Sequence, residues 1–257
     1  MNGINYLQDI LNKYRAQNLY LYSNEIEKLH KILKEWANNC FIEILESGSR
    51  AKQTAINLSS DVDYMISLTS NCNKNKGGLA SIYNSLFNKL KSYYYNVRKQ
   101  NVSFRVDLNG LEVDITPARK YSGNTNYHSL YISQKDTWIQ TNIQQHINDV
   151  KNSGRTKEIK LLKIWRELHN LEFTSIYLEY LVLEVLKYRL TDNLEDNFHY
   201  ILQELAKNEG NTLYKRIVDP SNSKNILSDL LSDYEKNKII NTAKQSISQL
   251  YWNNIIW

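Results

Sequence analysis

A chain of 257 residues, 42% hydrophobic and 11% aromatic, has enough apolar material for one large domain or two lobes, which excludes an intrinsically disordered protein. A formal charge of +5 suits a polyanionic ligand but does not require one. There is no apolar run of about 18 residues, and the charged, amphipathic start MNGINYLQDILNKYRAQ lacks the apolar centre of a secretion signal; the reading is a soluble, cytoplasmic protein with no membrane partner.

In chain order, Ile4, Leu7, Ile10 and Leu11, then Ile26, Leu29, Ile32 and Leu33, recur at helical spacing and predict one or two N-terminal helices within 1–40. Phe41 to Leu45 is a short β-prone run ending at Ser47-Gly48-Ser49. Val62 to Leu68 predicts a second strand, and Leu79 to Tyr94 returns to helical spacing. Cys40 and Cys72 show neither metal-ligand spacing nor a disulfide framework, so they are expected as reduced core or surface residues.

Ser103 to Leu108 and Leu111 to Thr116 alternate polar and apolar residues around Asn109-Gly110, the signature of a two-residue hairpin. The implied register sets Leu108 opposite Leu111, Asp107 opposite Glu112, Val106 opposite Val113 and Arg105 opposite Asp114. From Lys135 onward the pattern predicts helices at about 137–151, 155–169, 174–190, 194–208 and 226–250. The expected organisation is N-terminal bracing helices (1–40), an α/β core (41–134) and a helical lobe (135–257). Trp138 and Trp165 are read as core, and His128, His146, His169 and His199 lack ligand spacing.

Asp61 and Asp63 flank one apolar residue on a predicted strand, so both leave the same face of a sheet. An isolated Asp-x-Asp is usually a solvated sheet face. Eleven residues separate Asp61 from a Gly48-Ser49 turn, however, where Gly48 lets a backbone approach phosphate closely and the Ser49 hydroxyl and amide can donate to it. Metal-dependent phosphoryl transfer needs a further carboxylate, and Asp107, Glu112 and Asp114 share the polar face of the hairpin; alternation alone does not choose among them. The hairpin register also places Arg105 where its guanidinium can orient Asp114.

These residues resemble the DNA polymerase β nucleotidyltransferase superfamily, whose pattern is Gly-Ser, a spacer, Asp-x-Asp and a later strand aspartate. GSRAKQTAI and SDVDY are most similar to the branch holding oligoadenylate synthetases, the cyclic-oligonucleotide synthases of anti-phage systems and animal DNA sensing (CD-NTases), and archaeal-type CCA-adding enzymes. VDITPAR resembles the strand with the third aspartate, which selects Asp114. TWIQTNIQQHI, KLLKIWRE, TSIYLEYLVLEVL and IVDPSNSKNI resemble later segments, so the likeness spans about 41–245. Members often have Gly where this chain has Gln53, a departure expected to fall in the helix after the loop.

The resemblance implies an α+β fold: a polymerase β-like core followed by a helical lobe, with the active-site cleft between them. It implies that Asp61, Asp63 and Asp114 ligate two Mg2+ or Mn2+ ions, and that Lys163 and Ser175 contact phosphates. Set against those roles, Lys163 also reads as a solvated helix face and Ser175 as a helix cap; Tyr177 is either a base-stacking ring or core. Arg50 and Lys52, after the Gly-Ser turn, would favour a triphosphate electrostatically or stay solvated.

The leading expectation is an enzyme joining nucleoside triphosphates into a short linear or cyclic oligonucleotide signal, with release of pyrophosphate, in innate immune or anti-phage signalling. Nucleotide addition to an RNA 3′ end, as by CCA-adding enzymes, is the alternative, and an inactive nucleotide-binding sensor subunit is the non-enzyme reading. A toxin or antitoxin that nucleotidylates protein or tRNA fits less well, because about half the chain reads as a helical lobe. A nucleic-acid activator or acceptor and a protein effector or regulator are left open as partners.

Overall fold

The computed structural model describes residues 3–59 and 61–257; Met1, Asn2 and Ser60, the last within the SDVDY motif, lie outside the described residues. The chain divides into two compact units, one of residues 18–51 and 61–147, the other of residues 1–17, 52–60 and 148–257.

The first unit is built on a seven-stranded mixed sheet. Its strands are β1 (Phe41–Ser47), β2 (Val62–Leu68), β3 (Arg98–Lys99), β4 (Phe104–Leu108), β5 (Leu111–Lys120), β6 (His128–Ile132) and β7 (Thr137–Thr141). The order is β1-β2-β5-β4-β3, with β6 joining the end of β5 and β7 pairing β6. Only β2 and β5 run parallel, and their register sets Asp63 beside Asp114.

The β4-β5 hairpin has the expected register, Arg105 opposite Asp114 and Leu108 opposite Leu111. Asn109 and Gly110 both take positive φ, +56° and +96°, as a two-residue turn of the required twist demands. Helices α2 (Ser23–Ala37) and α4 (Gly78–Lys91) bury Leu29, Leu33, Ile82 and Leu86 against Val62, Ile66, Val113 and Ile115 of the sheet. Each such side chain contributes about 1.5–3 kcal/mol on leaving water. A short helix, α3 (Gly48–Ala51), follows β1 directly.

The second unit is helical: α1 (Gly3–Lys13), α5 (Ile143–Lys151, which starts in the first unit), α6 (Thr156–Leu168), α7 (Ser175–Val185), α8 (Leu194–Ala206) and α9 (Asp233–Ile247), with a small hairpin of β8 (Val218–Asp219) and β9 (Asn222–Ile226). Its core gathers Leu7, Ile10, Ile159, Leu162, Trp165, Leu178, Phe198 and Ile239, all nearly inaccessible. The first 40 residues are thus shared, α1 belonging to the helical unit and α2 to the sheet unit.

Several expectations are corrected. Thr137–Thr141 is a strand, because TWIQT is β-branched and aromatic and pairs with β6; the helix begins only at Ile143, where Asn142 accepts the Gln145 amide at 3.2 Å. Trp138, read as core, is 55% exposed. The last helix begins at Asp233, not 226, set by a capping box between Ser232 and Glu235. Gln53 lies past α3 rather than within a helix, in a turn with φ +61°, a conformation that glycine adopts without strain. Cys40 and Cys72, expected reduced, are joined in a disulfide with Cα atoms 5.5 Å apart.

Candidate active site

The parallel pairing of β2 and β5 sets Asp63 and Asp114 side by side, and Asp61 immediately precedes β2. On the other side of β2, Ser47 pairs with Asp63, so the Gly48 turn runs past the Asp63 carboxylate. Gly48 has φ +62°, and a Cβ there would come within 1.8 Å of Asp63 Oδ2. Any side chain there would be strained in this backbone conformation and would have to push the Asp63 carboxylate aside. Ser49 and Arg50 follow in α3, both half-buried.

Arg105 organises the acidic face. Its Nε donates to Asp114 Oδ1 at 2.7 Å and its Nη2 to Asp114 Oδ2 at 2.8 Å, a two-pronged grip. Nη2 also donates to Asp61, and Nη1 reaches Glu112 Oε2 at 2.8 Å. Gln100 adds a bond from Nε2 to Asp114 Oδ1 at 3.2 Å, and Arg98 supplies a second cation to Glu112. The orientation of Asp114 by Arg105, expected from the register, is present. Hydrogen bonding to Asp114 is the largest cause raising the guanidinium pKa further, so Arg105 stays charged. Burial is the main reason the Asp61 carboxyl lies above its ordinary range, with Arg105 opposing and Asp114 and Glu112 reinforcing the rise.

The acidic candidates on the hairpin therefore separate by surroundings. Asp107 is exposed and accepts the Gly110 amide at 2.6 Å, so it serves the turn. Glu112 is held between two arginines, and Asp114 shares one of them with Asp61.

Carboxylate oxygens are the donor set that magnesium and manganese prefer, and Asp61 and Asp114 already converge on one positive group. The donors fit a divalent ion. Among the described residues no three His, Cys, Asp or Glu side chains are drawn tightly enough to enclose one; Arg105 holds Asp61 and both oxygens of Asp114 on its own fork.

Within the helical unit the remaining candidates meet a different fate. Lys163, on α6, is 1% exposed rather than on a solvated face. Its Nζ donates to Glu179 Oε1 at 2.7 Å and Thr54 Oγ1 at 2.9 Å. Lys52 is also buried and donates to Glu179 Oε2 at 2.5 Å, while Thr54 donates to Oε1 at 2.9 Å. In this arrangement both ammonium groups serve a carboxylate rather than a phosphate. Tyr177 is fully buried and donates to the Leu213 carbonyl, which corrects the base-stacking expectation. Ser175 opens α7 and accepts from Arg166 Nη1 at 3.3 Å; Thr174, not Ser175, holds the cap position.

Glu179 is the residue that sequence reasoning missed. It lies in the segment TSIYLEYLVLEVL, where an acid among apolar residues is the available signal, since a buried carboxylate is nearly always paired with a cation.

A mixed sheet whose one parallel pair carries a carboxylate on each strand, beside a glycine turn, is the arrangement that the resemblance to polymerase β-like nucleotidyltransferases implies. Residues 1–153 match the Second Messenger Oligonucleotide or Dinucleotide Synthetase domain, and the chain belongs to that family. It is a nucleotidyltransferase of the CD-NTase family, whose members make oligonucleotide second messengers from nucleoside triphosphates.

Solved structures agree on the fold. The CdnC of E. coli MS115-1, in complex with a HORMA protein, is 19% identical, with TM-score 0.69 over 94% of this chain and 88% of that one. CdnG of Bradyrhizobium diazoefficiens, in complex with GTP, is 11% identical with TM-score 0.73 over 96% and 93%. The CdnE cyclic dinucleotide synthase of Elizabethkingia meningoseptica, with GTP and Apcpp, is 14% identical with TM-score 0.69 over 97% and 98%. No curated protein matches the sequence.

Proposed function

We propose that the chain polymerises nucleoside triphosphates, without a template, into a short cyclic or linear oligonucleotide with release of pyrophosphate. The observation that carries this reading is the convergence of Asp61 and Asp114 on Arg105, with Asp63 between the Gly48 turn and Asp114. Asp61, Asp63 and Asp114 would hold divalent metal, Mg2+ or Mn2+, which supplies charge on the phosphates and lowers the pKa of the attacking hydroxyl. On this reading Asp114 would receive the hydroxyl proton. The Gly48-Ser49 turn offers backbone close to a phosphate, and Arg105 holds Asp114 in orientation.

For Ser175, at the first turn of α7, a phosphate contact stays a proposal; Arg50 adds positive charge beside the turn. A protein regulator is proposed from the E. coli relative, which was solved with a HORMA protein. An anti-phage role and the cytoplasm, where nucleoside triphosphates are available, follow from the same reading. Among the described residues no helix is long and apolar enough to cross a membrane.

The test is incubation of the protein with each labelled triphosphate and Mg2+ or Mn2+, with products sized before and after phosphatase treatment and with RNA present or absent. Small phosphatase-resistant or ladder products support the proposal. Labelled RNA with no small product would favour addition to an RNA end instead.

A further inference from the structure

The end of the sheet away from the carboxylates carries a second concave surface. Arg119 and Lys120 close β5, Ser70, Asn71 and Lys74 follow β2, and Trp138 projects from β7; these and their neighbours wall a cavity of about 500 Å³. That volume is within the usual range for a small-molecule site, about 300–1,000 Å³. Asp114 and Arg119 stand five residues apart on one strand, about 17 Å, so a ligand here does not reach the acidic face.

The lining contains no Asp or Glu. Among the described residues none of Lys74, Arg119 and Lys120 is ion-paired with a carboxylate, although the first unit pairs Arg98, Arg105 and Lys89 in this way. Cations gathered in one concavity without a counter-ion repel one another, and an anion seated among them relieves that cost. Beside them lies the indole of Trp138, 55% exposed on a strand where an apolar ring gains nothing from water. Cations with an accessible ring are the pair of features that grips a phosphate and stacks a base. The loop wall is also anchored: Cys72, between Asn71 and Lys74, is bonded to Cys40, and the Thr69 amide donates to the Cys40 carbonyl at 2.8 Å.

We propose that this cavity is a second nucleotide site, separate from the carboxylates, taking a nucleoside phosphate, free or at the end of an oligonucleotide, with its phosphate among Lys74, Arg119 and Lys120 and its base on Trp138. The assignment does not depend on the proposed chemistry at Asp61, Asp63 and Asp114.

The test is calorimetric titration of the full chain in EDTA with two probes, AMP and a 5′-phosphorylated tetra-adenylate. Saturable binding of AMP identifies a free nucleotide as the ligand; binding of the oligonucleotide alone identifies a nucleic-acid end. In either case Trp138→Ala and the charge reversals Lys74→Glu and Lys120→Glu are each expected to weaken binding about tenfold or more. Lys74 is exposed in a loop, so its variant separates loss of binding from loss of folding, which thermal melts also monitor. Asp61→Asn combined with Asp63→Asn is expected to leave this binding unchanged. The proposal is overturned if neither probe binds, if binding survives the charge reversals, or if it disappears in the aspartate variant. Sensitivity to charge with indifference to Trp138→Ala also overturns it, since the site would then take a bare anion.

Discussion

Arg105 occupies the position where a metal-binding face needs positive charge, and this makes its removal informative. In Arg105→Ala the carboxylates of Asp61, Glu112 and Asp114 face one another without their shared counter-ion. The side chains are partly exposed, so the expected loss in metal-free protein is modest, about 1–2 kcal/mol. Added Mg2+ or Mn2+ should then raise the melting temperature by more than it does in the parent, because the ion now supplies charge that nothing else does. An equal shift in both proteins would show that the guanidinium and the ion do not share a role. Gly48 makes a steric prediction at the same face. Gly48→Ala forces the Asp63 carboxylate aside and strains a left-handed residue, so Mn2+ affinity and turnover should both fall at least about tenfold with the fold retained by circular dichroism. Undiminished metal binding would mean that Asp63 is not a ligand.

At the scale of elements, α6 and α7 are tied by a buried charge cluster whose pH dependence can be worked out. Burial pushes the Glu179 carboxyl up, but Lys52 and Lys163 together outweigh it and hold the pKa below its ordinary value. The stability it contributes is therefore present above the unfolded-state pKa and lost as pH falls through the lower folded value. Burial lowers Lys163 to about 8, against the pull of Glu179. Between that pH and its ordinary 10.5 the unfolded chain binds the extra proton, so stability attributable to Lys163 rises with pH across this window. Urea midpoints at pH 7, 9 and 10 should show this rise in the parent and not in Lys163→Met. Glu179→Gln, which strands two buried ammonium groups, should cost about 3–5 kcal/mol. A cost near zero would mean that water already reaches the cluster.

Elements also show where sequence is informative. Asn109-Gly110 dictates one turn, and alternation then sets every pair of the hairpin, so Arg105 beside Asp114 was legible before any coordinates. The start of α5 was not, because Thr137–Thr141 adjoins a helical pattern and its pairing with β6 is a long-range choice. Ser232-Asp233-Tyr234-Glu235 carried a readable capping signal that periodicity alone passes over. Lys52 and Lys163 read as cations for phosphate or for solvent and Glu179 drew no reading, since nothing local states that three separate segments will bury them together.

Across the whole molecule, long-range closure is what the sequence conceals most. Cys40 and Cys72 are separated by 32 positions, and the segment they enclose contains Gly48, Asp61 and Asp63. Closing a loop of that length should stabilise the fold by about 3–4 kcal/mol in the chain-entropy view. Dithiothreitol should accordingly lower the denaturation midpoint, as should Cys72→Ser without reductant; identical midpoints in all samples would mean that the bond does not form in solution.

The central claim concerns turnover at the acidic face, and Asp114→Asn tests it most directly. Parent protein incubated with mixed labelled triphosphates and Mg2+ or Mn2+ is predicted to yield short oligonucleotides and pyrophosphate. The Asn variant, isosteric and still able to accept from Arg105, is predicted to yield neither while binding nucleotide nearly as well. Product formation by the variant at the parent rate would contradict the account.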